Sequence, residues 1–139
     1  HVISISDPAP YSGPARIPRR CGLREIICLE FHDLDPGRYT HDLRIDGKSV
    51  AEMSMQPTHA NQIARLVCRE LSDVGVILIH CEAGASRSPS VAFAIADGLG
   101  LGRECVDWGS PERSTRLPPN RHVYQKTLEA IWKRLEETI

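Results

Sequence analysis

Apolar residues along the chain gather into short runs and stripes whose spacing alternates between that of strands and that of helices. Val2 to Ile5 reads as a first, edge strand. The stretch after it carries Pro8, Pro10, Gly13, Pro14 and Pro18, a density of prolines that forbids regular structure. Glu25 to Phe31 is a second strand, running out into His32-Asp33-Leu34-Asp35-Pro36-Gly37. Leu43-Arg44-Ile45 and Ser49-Val50-Ala51 flank Asp46-Gly47, a pair suited to a two-residue hairpin turn. Thr58 reads as the cap of a helix in which Ile63, Leu66, Val67 and Leu71 recur at helical spacing, closing near Asp73-Val74-Gly75. Val76 to Ile79 is an unbroken apolar run of strand length, the mark of a strand buried on both faces. A turn of small residues leads from it into a helix over 89–99, with Pro89 in the first turn and Ser86 or Ser88 as cap. Arg103 to Trp108 reads as a short helix. The last runs from Asn120 to about Glu137, with Val123, Leu128, Ile131, Trp132 and Leu135 facing inward. Strands alternating with helices predict an α/β fold, a central mostly parallel sheet flanked by helices on both faces.

The turn between the strand at 76–80 and the helix at 89–99 carries the chemistry. It lies at a strand's C-terminal end, where open α/β sheets bind ligands, and at a helix N-terminus, where free N–H groups favour anions. With small residues at Ala83, Gly84 and Ala85, the backbone N–H groups of Glu82, Ala83, Gly84, Ala85, Ser86 and Arg87 can curl into a nest for a tetrahedral anion such as phosphate. Cys81 would then lie beneath the anion and Arg87 would offer two parallel donors along its edge. The helix terminus, the inward amides, the arginine and His80 all favour thiolate, the nucleophilic form, and comparable settings depress a cysteine pKa to roughly 3.5–7.5. Ser88 is spaced to give a hydrogen bond to the sulfur.

His80-Cys81-x-x-Gly84-x-Ser86-Arg87-Ser88 resembles the phosphate-binding loop (P-loop) of the cysteine-based protein tyrosine phosphatases, in particular their small dual-specificity branch and its compact bacterial and phage relatives. The resemblance extends more loosely from about Gly22 onward. It implies a single phosphatase domain over 1–139 that hydrolyses phosphotyrosine, alone or with phosphoserine and phosphothreonine, in proteins or peptides through a phosphocysteine. It further implies a loop that binds phosphate, sulfate or vanadate, and no metal or cofactor. These phosphatases keep their general acid just past a strand end, which points to Asp33, with Asp35, Asp42 and Asp46 as rivals; Asp33 and Asp35 could instead cap the Pro36-Gly37 turn. Asp33 stands 48 positions before Cys81, a longer interval than the family usually keeps, so 38–56 reads as an insertion or lid. Pro119-Asn120 with Tyr124-Gln125 and Leu128 resembles the start of the family's closing helix, where the Asn is a cap and packing residue. Phosphoinositide phosphatases of this superfamily carry lysines in the loop, whereas Glu82, Ala83 and Ala85 stand here. A catalytically weak phospho-binding module and a rhodanese-like sulfurtransferase or arsenate reductase are the alternatives.

Composition narrows this further. A chain of 139 residues, 41% hydrophobic and 25% charged, has the makeup of a soluble globular domain that needs no staples. With 17 basic and 18 acidic residues it gives no support for a nucleic-acid or membrane-surface role. No apolar run nears the roughly 20 residues of a membrane span, and no signal-peptide pattern is present, so a cytoplasmic monomer is expected. The cysteines Cys21, Cys28, Cys68, Cys81 and Cys105 form no C-x-x-C pair, which argues against a zinc site or disulfide scaffold. Cys28 and Cys68 read as small buried hydrophobes; alternatively one of them, Cys28 first, resolves an oxidised Cys81. Arg16, Arg19 and Arg20 read as solvated loop residues rather than a substrate clamp, and Arg113 and Arg116 as solvated loop residues rather than the lining of the pocket mouth.

Overall fold

The structure, a computed structural model, describes residues 1–9, 11–19, 22–39, 43–69, 75–109 and 117–139. The expectations attached to Pro10, Arg20, Cys21, Asp42, Leu71, Asp73, Val74, Arg113 and Arg116 lie outside the described residues. The chain is α/β. Three parallel strands, β1 (Val2–Ser6), β2 (Ile26–Glu30) and β5 (Leu78–His80), form a small sheet in the order β2-β1-β5. Val2 pairs with Ile26 on one side and Leu78 on the other, so the strand expected at the edge is the central one. All five of its residues are buried.

Conversely, β5 is an outer strand among the described residues, not one buried on both faces. Val76 and Leu78 are 77% and 58% exposed, and only Ile77 and Ile79 of the apolar run pack on the core. A four-residue apolar run is compatible with either position, because which strand takes the centre is decided by tertiary pairing.

The expected hairpin is present: β3 (Arg44–Ile45) pairs antiparallel with β4 (Lys48–Ser49). Asp46 (φ 51°) and Gly47 (φ 77°) both take the left-handed conformation that a tight turn matched to strand twist requires. Ser49 then leaves the strand as N-cap of a one-turn helix, α1 (Val50–Met53), through a reciprocal capping box with Glu52. Val50 and Ala51 are therefore helical rather than extended.

Helix α2 (Pro57–Arg69) starts at proline, whose missing N–H costs nothing there, so Thr58 sits within the first turn rather than capping it. Its Ile63, Leu66 and Val67 are buried as the spacing predicts. Helix α3 (Arg87–Gly98) begins two residues earlier than expected, and the Arg103–Trp108 segment shortens to a 3₁₀ turn over Arg103–Cys105. Helix α4 (Arg121–Glu136) is capped by Asn120, whose side-chain oxygen accepts from Val123 N at 3.1 Å. It packs against both α2 and α3. Val123, Leu128 and Ile131 are buried, whereas Trp132 is 51% exposed and does not join them. The shared core holds Ile3, Ile5, Leu29, Phe31, Met55, Ile63, Val91, Ile95 and Ile131.

Candidate functional site

The C-terminal ends of the three parallel strands converge, and each delivers a polar group to one place. The central strand runs out to Asp7, β2 runs out through Phe31 and His32 to Asp33, and β5 opens into the loop Cys81–Ser86 that starts α3. The structure brings Cys81, Ser86, Arg87, Ser88 and Asp33 together by direct or shared contacts.

Cys81 is half-buried, and Ser88 Oγ lies 3.2 Å from its sulfur. Burial alone pushes the thiol up. The Ser88 hydroxyl and the backbone N–H groups of Ser88, Gly84 and Ser86 outweigh that together, and the thiol falls below its ordinary range. Gly84 turns the loop at φ 65°, a left-handed conformation that glycine adopts without strain. Ser88 therefore serves the sulfur rather than capping the helix. Ser86, the N-cap residue, makes no side-chain capping bond either, because its hydroxyl donates to Asp33 Oδ1 at 2.7 Å.

Arg87 is only 5% exposed. Its Nη1 donates to Asp7 Oδ1 at 2.8 Å and to the Phe31 carbonyl at 2.7 Å, while its buried Nε has no hydrogen-bond partner among the described residues. Asp7 also faces His32 Nδ1 at 3.6 Å. Glu82 is tied to the segment after β1. It accepts from Ser12 Oγ and from the Asp7 N–H, and these bonds, the Ser12 hydroxyl first, hold its carboxyl below the usual range. Ala83 and Ala85 are exposed, and His80 ends β5 half-buried, in register with Ser4.

Of the candidate acids among the described residues, Asp33 is the one tied to the loop. Its Oδ1 accepts from Ser86 Oγ and, at 2.9 Å, from Asn120 Nδ2. Asp35 instead caps the 3₁₀ turn Pro36–Arg38 by accepting from Gly37 N at 3.0 Å, the local role allowed for it. Asp46 occupies the tip of the hairpin. A cavity of about 340 Å³ opens beside Arg87 and Asp33, walled by Asp7, Tyr11, His32, Leu34, Ile45 and Met53. Ile45 and Met53 come from the 38–56 segment, which thus borders the site. A cavity of similar size, about 350 Å³, lies at the other end of the sheet, lined by Val2, Leu23, Val76 and Leu78 and remote from Cys81.

Three participants escaped the sequence reading: Asp7, the Asp33 contact of Asn120, and Trp108, whose Nε1 donates to the Gly84 carbonyl at 2.8 Å. Only Asp7 carried a usable signal, being the first residue past a strand that ends on the ligand side of a parallel sheet. Of the other cysteines, Cys28 and Cys105 are exposed and Cys68 is half-buried, so Cys28 is not the buried hydrophobe expected. Cys28 and His80 are both in register with Ser4, from opposite sides of β1. Two strand spacings make about 10 Å, beyond the Cα separation of about 4.4–6.8 Å a disulfide tolerates, so Cys28 is not positioned to resolve Cys81. Arg16 and Arg19 are exposed, as solvated loop residues are.

Among the described residues no three His, Cys, Asp or Glu side chains cluster as a metal site, and no helix is long and apolar enough to cross a membrane. Comparison of the chain with protein-family models, curated proteins and solved structures gives no match.

Proposed function

We propose that this chain is a cysteine-dependent phosphomonoester hydrolase of the tyrosine-phosphatase type, acting on phosphotyrosine, alone or with phosphoserine and phosphothreonine, in proteins or peptides. The reading takes the 81–87 turn as a phosphate-binding loop, in a sheet covered by helices on both faces, and the chain as a cytoplasmic monomer without metal or cofactor. The observation that carries it is the state of Arg87. The guanidinium is buried, in the turn that starts from a thiol of lowered pKa, with Nη1 locked and Nε without a hydrogen-bond partner among the described residues, an arrangement suited to an oxyanion taken along the Nε edge.

The chemistry follows. The Cys81 thiolate attacks phosphorus in line with the ester oxygen; the S–P bond forms as the P–O bond breaks, and Arg87 with the loop N–H groups holds the equatorial oxygens. Asp33 delivers a proton to the departing oxygen. Its Oδ1 is held by Ser86 and Asn120, so the transferable proton belongs on Oδ2. In the second half the Asp33 carboxylate takes a proton from water as that water attacks the phosphocysteine. The S–P bond then breaks, and the Ser88 hydroxyl stabilises the leaving thiolate.

Turnover of p-nitrophenyl phosphate, measured with orthovanadate as inhibitor, tests the reading. Hydrolysis that vanadate blocks and Cys81→Ser abolishes is expected. Equal turnover by the serine variant refutes the mechanism, and vanadate binding without turnover converts the reading to a phospho-binding module.

A further inference from the structure

The loop is tethered from outside itself. Trp108 lies beyond the 3₁₀ turn, outside the Cys81–Ser88 segment itself. Its Nε1 donates to the Gly84 carbonyl at 2.8 Å, and its ring packs edge-on against Phe93 of α3, centroids 5.8 Å apart. Phe93 is fully buried, and the Arg103 guanidinium stands 5.1 Å from its ring centre. Arg103 is in turn gripped by Asp97, Nη2 to Oδ2 at 2.7 Å and Nε to Oδ1 at 3.1 Å, and Tyr124 donates its hydroxyl to the same Asp97 at 2.7 Å. The indole is therefore fixed to a cluster that joins α3, the 3₁₀ turn and α4.

In a trans peptide the carbonyl of one residue and the N–H of the next point in opposite directions. A donor that draws the Gly84 carbonyl to one side thus turns the Ala85 N–H to the other. The N–H groups of Gly84, Ser86 and Ser88 are directed at the Cys81 sulfur, and the Ala85 N–H turns away from the side on which Trp108 holds the Gly84 carbonyl. Glycine also makes the tether necessary: at Gly84 the peptide rotates with little steric resistance, and a flipped unit would aim a carbonyl oxygen at the anion.

We infer that Trp108 is a positioning residue for the anion loop, holding the Gly84–Ala85 peptide so that the Ala85 N–H faces a bound phosphoryl group. The inference rests on the proposed phosphatase reading of the same loop.

Trp108→Phe keeps a ring against Phe93 and removes the N–H. Losing one amide donor to an anion corresponds to a 10–100-fold weakening, so the vanadate inhibition constant and KM for p-nitrophenyl phosphate should each rise by about that factor in protein that remains folded by circular dichroism. A second substitution, 3-benzothienylalanine at position 108, keeps the shape of indole while replacing its N–H with sulfur, and serves if the phenylalanine variant fails to fold. A purely structural tryptophan would lower the melting temperature without moving the inhibition constant. Unchanged vanadate inhibition in either folded variant overturns the inference. A parent protein that neither binds vanadate nor hydrolyses the ester overturns the phosphatase reading instead.

Discussion

Asp7 and Arg87 are 80 residues apart in sequence and meet at 2.8 Å, with the arginine side chain 6% exposed and the aspartate 27%. Removing one partner of a fully buried pair strands the other charge at a cost of about 3–5 kcal/mol. Two features reduce that here: Asp7 is partly in water, and the Phe31 carbonyl still accepts from the same Nη1 at 2.7 Å. Asp7→Ala should therefore destabilise the protein by about 2–3 kcal/mol and Asp7→Asn, which keeps an acceptor oxygen but loses the charge, by about 1–2 kcal/mol. If the guanidinium drifts from its position over the loop, part of that cost reappears in catalysis. At about 1.4 kcal/mol per tenfold, kcat/KM should fall by up to roughly 100-fold in the alanine variant and less in the asparagine one. Urea unfolding and p-nitrophenyl phosphate kinetics on both variants read the two effects side by side. An alanine variant within about 0.5 kcal/mol of the parent, with unchanged kcat/KM, would refute the claim that Asp7 holds Arg87.

Asp33→Asn should slow phosphotyrosine hydrolysis by about 10²–10⁴-fold while sparing aryl phosphates with strongly acidic leaving groups. A loss independent of the leaving group, measured across a series of substituted phenyl phosphates, would mean that Asp33 only holds Ser86 and Asn120 in place. Native-state alkylation by iodoacetamide should label Cys81 first, with its rate falling off at lower pH than at Cys68 or Cys105, because burial pushes those two thiols up while hydrogen bonds bring Cys81 down. The same depressed thiol contributes stability that is full above its unfolded value of about 8.5 and lost as pH falls through the folded value; unfolding titrations should show this slope in the parent and not in Cys81→Ser.

Local chemistry was legible; neighbourhood was not. Asp46-Gly47 announced its hairpin because few residue pairs tolerate two successive left-handed positions. The strand, small-residue turn and proline-marked helix around Cys81 could be read because each depends on residues adjacent in sequence. The same reading gave β1 the edge and β5 the centre, since apolar run length reports burial of a strand and not which strand lies beside it. The Ser49–Glu52 capping box was present in the sequence, yet the β-branched Val50 drew that segment into the strand reading. Asp7 and Trp108 join the site over separations of 80 and 24 residues, and no spacing rule links groups brought together by sheet order and helix packing.

The central strand of the sheet precedes both of its neighbours in sequence, and this carries a consequence for folding order. The β1–β5 pairing closes a loop from Val2 to Leu78, and the Asn120–Asp33 bond closes one of 87 residues. Closures of that length are slow, because their entropy must be met before the contacts form. A chain emerging from the ribosome exposes Val2–Ser6 early, yet both of its sheet partners and the helix that caps with Asn120 arrive later. The loop around Cys81 has its local sequence complete by Ser90, but the carboxylate beside it is held only once α4 has been made and docked. Competence at this site thus waits for α4, and a nascent fragment ending before Asn120 would carry the thiol without the bond that fixes Asp33.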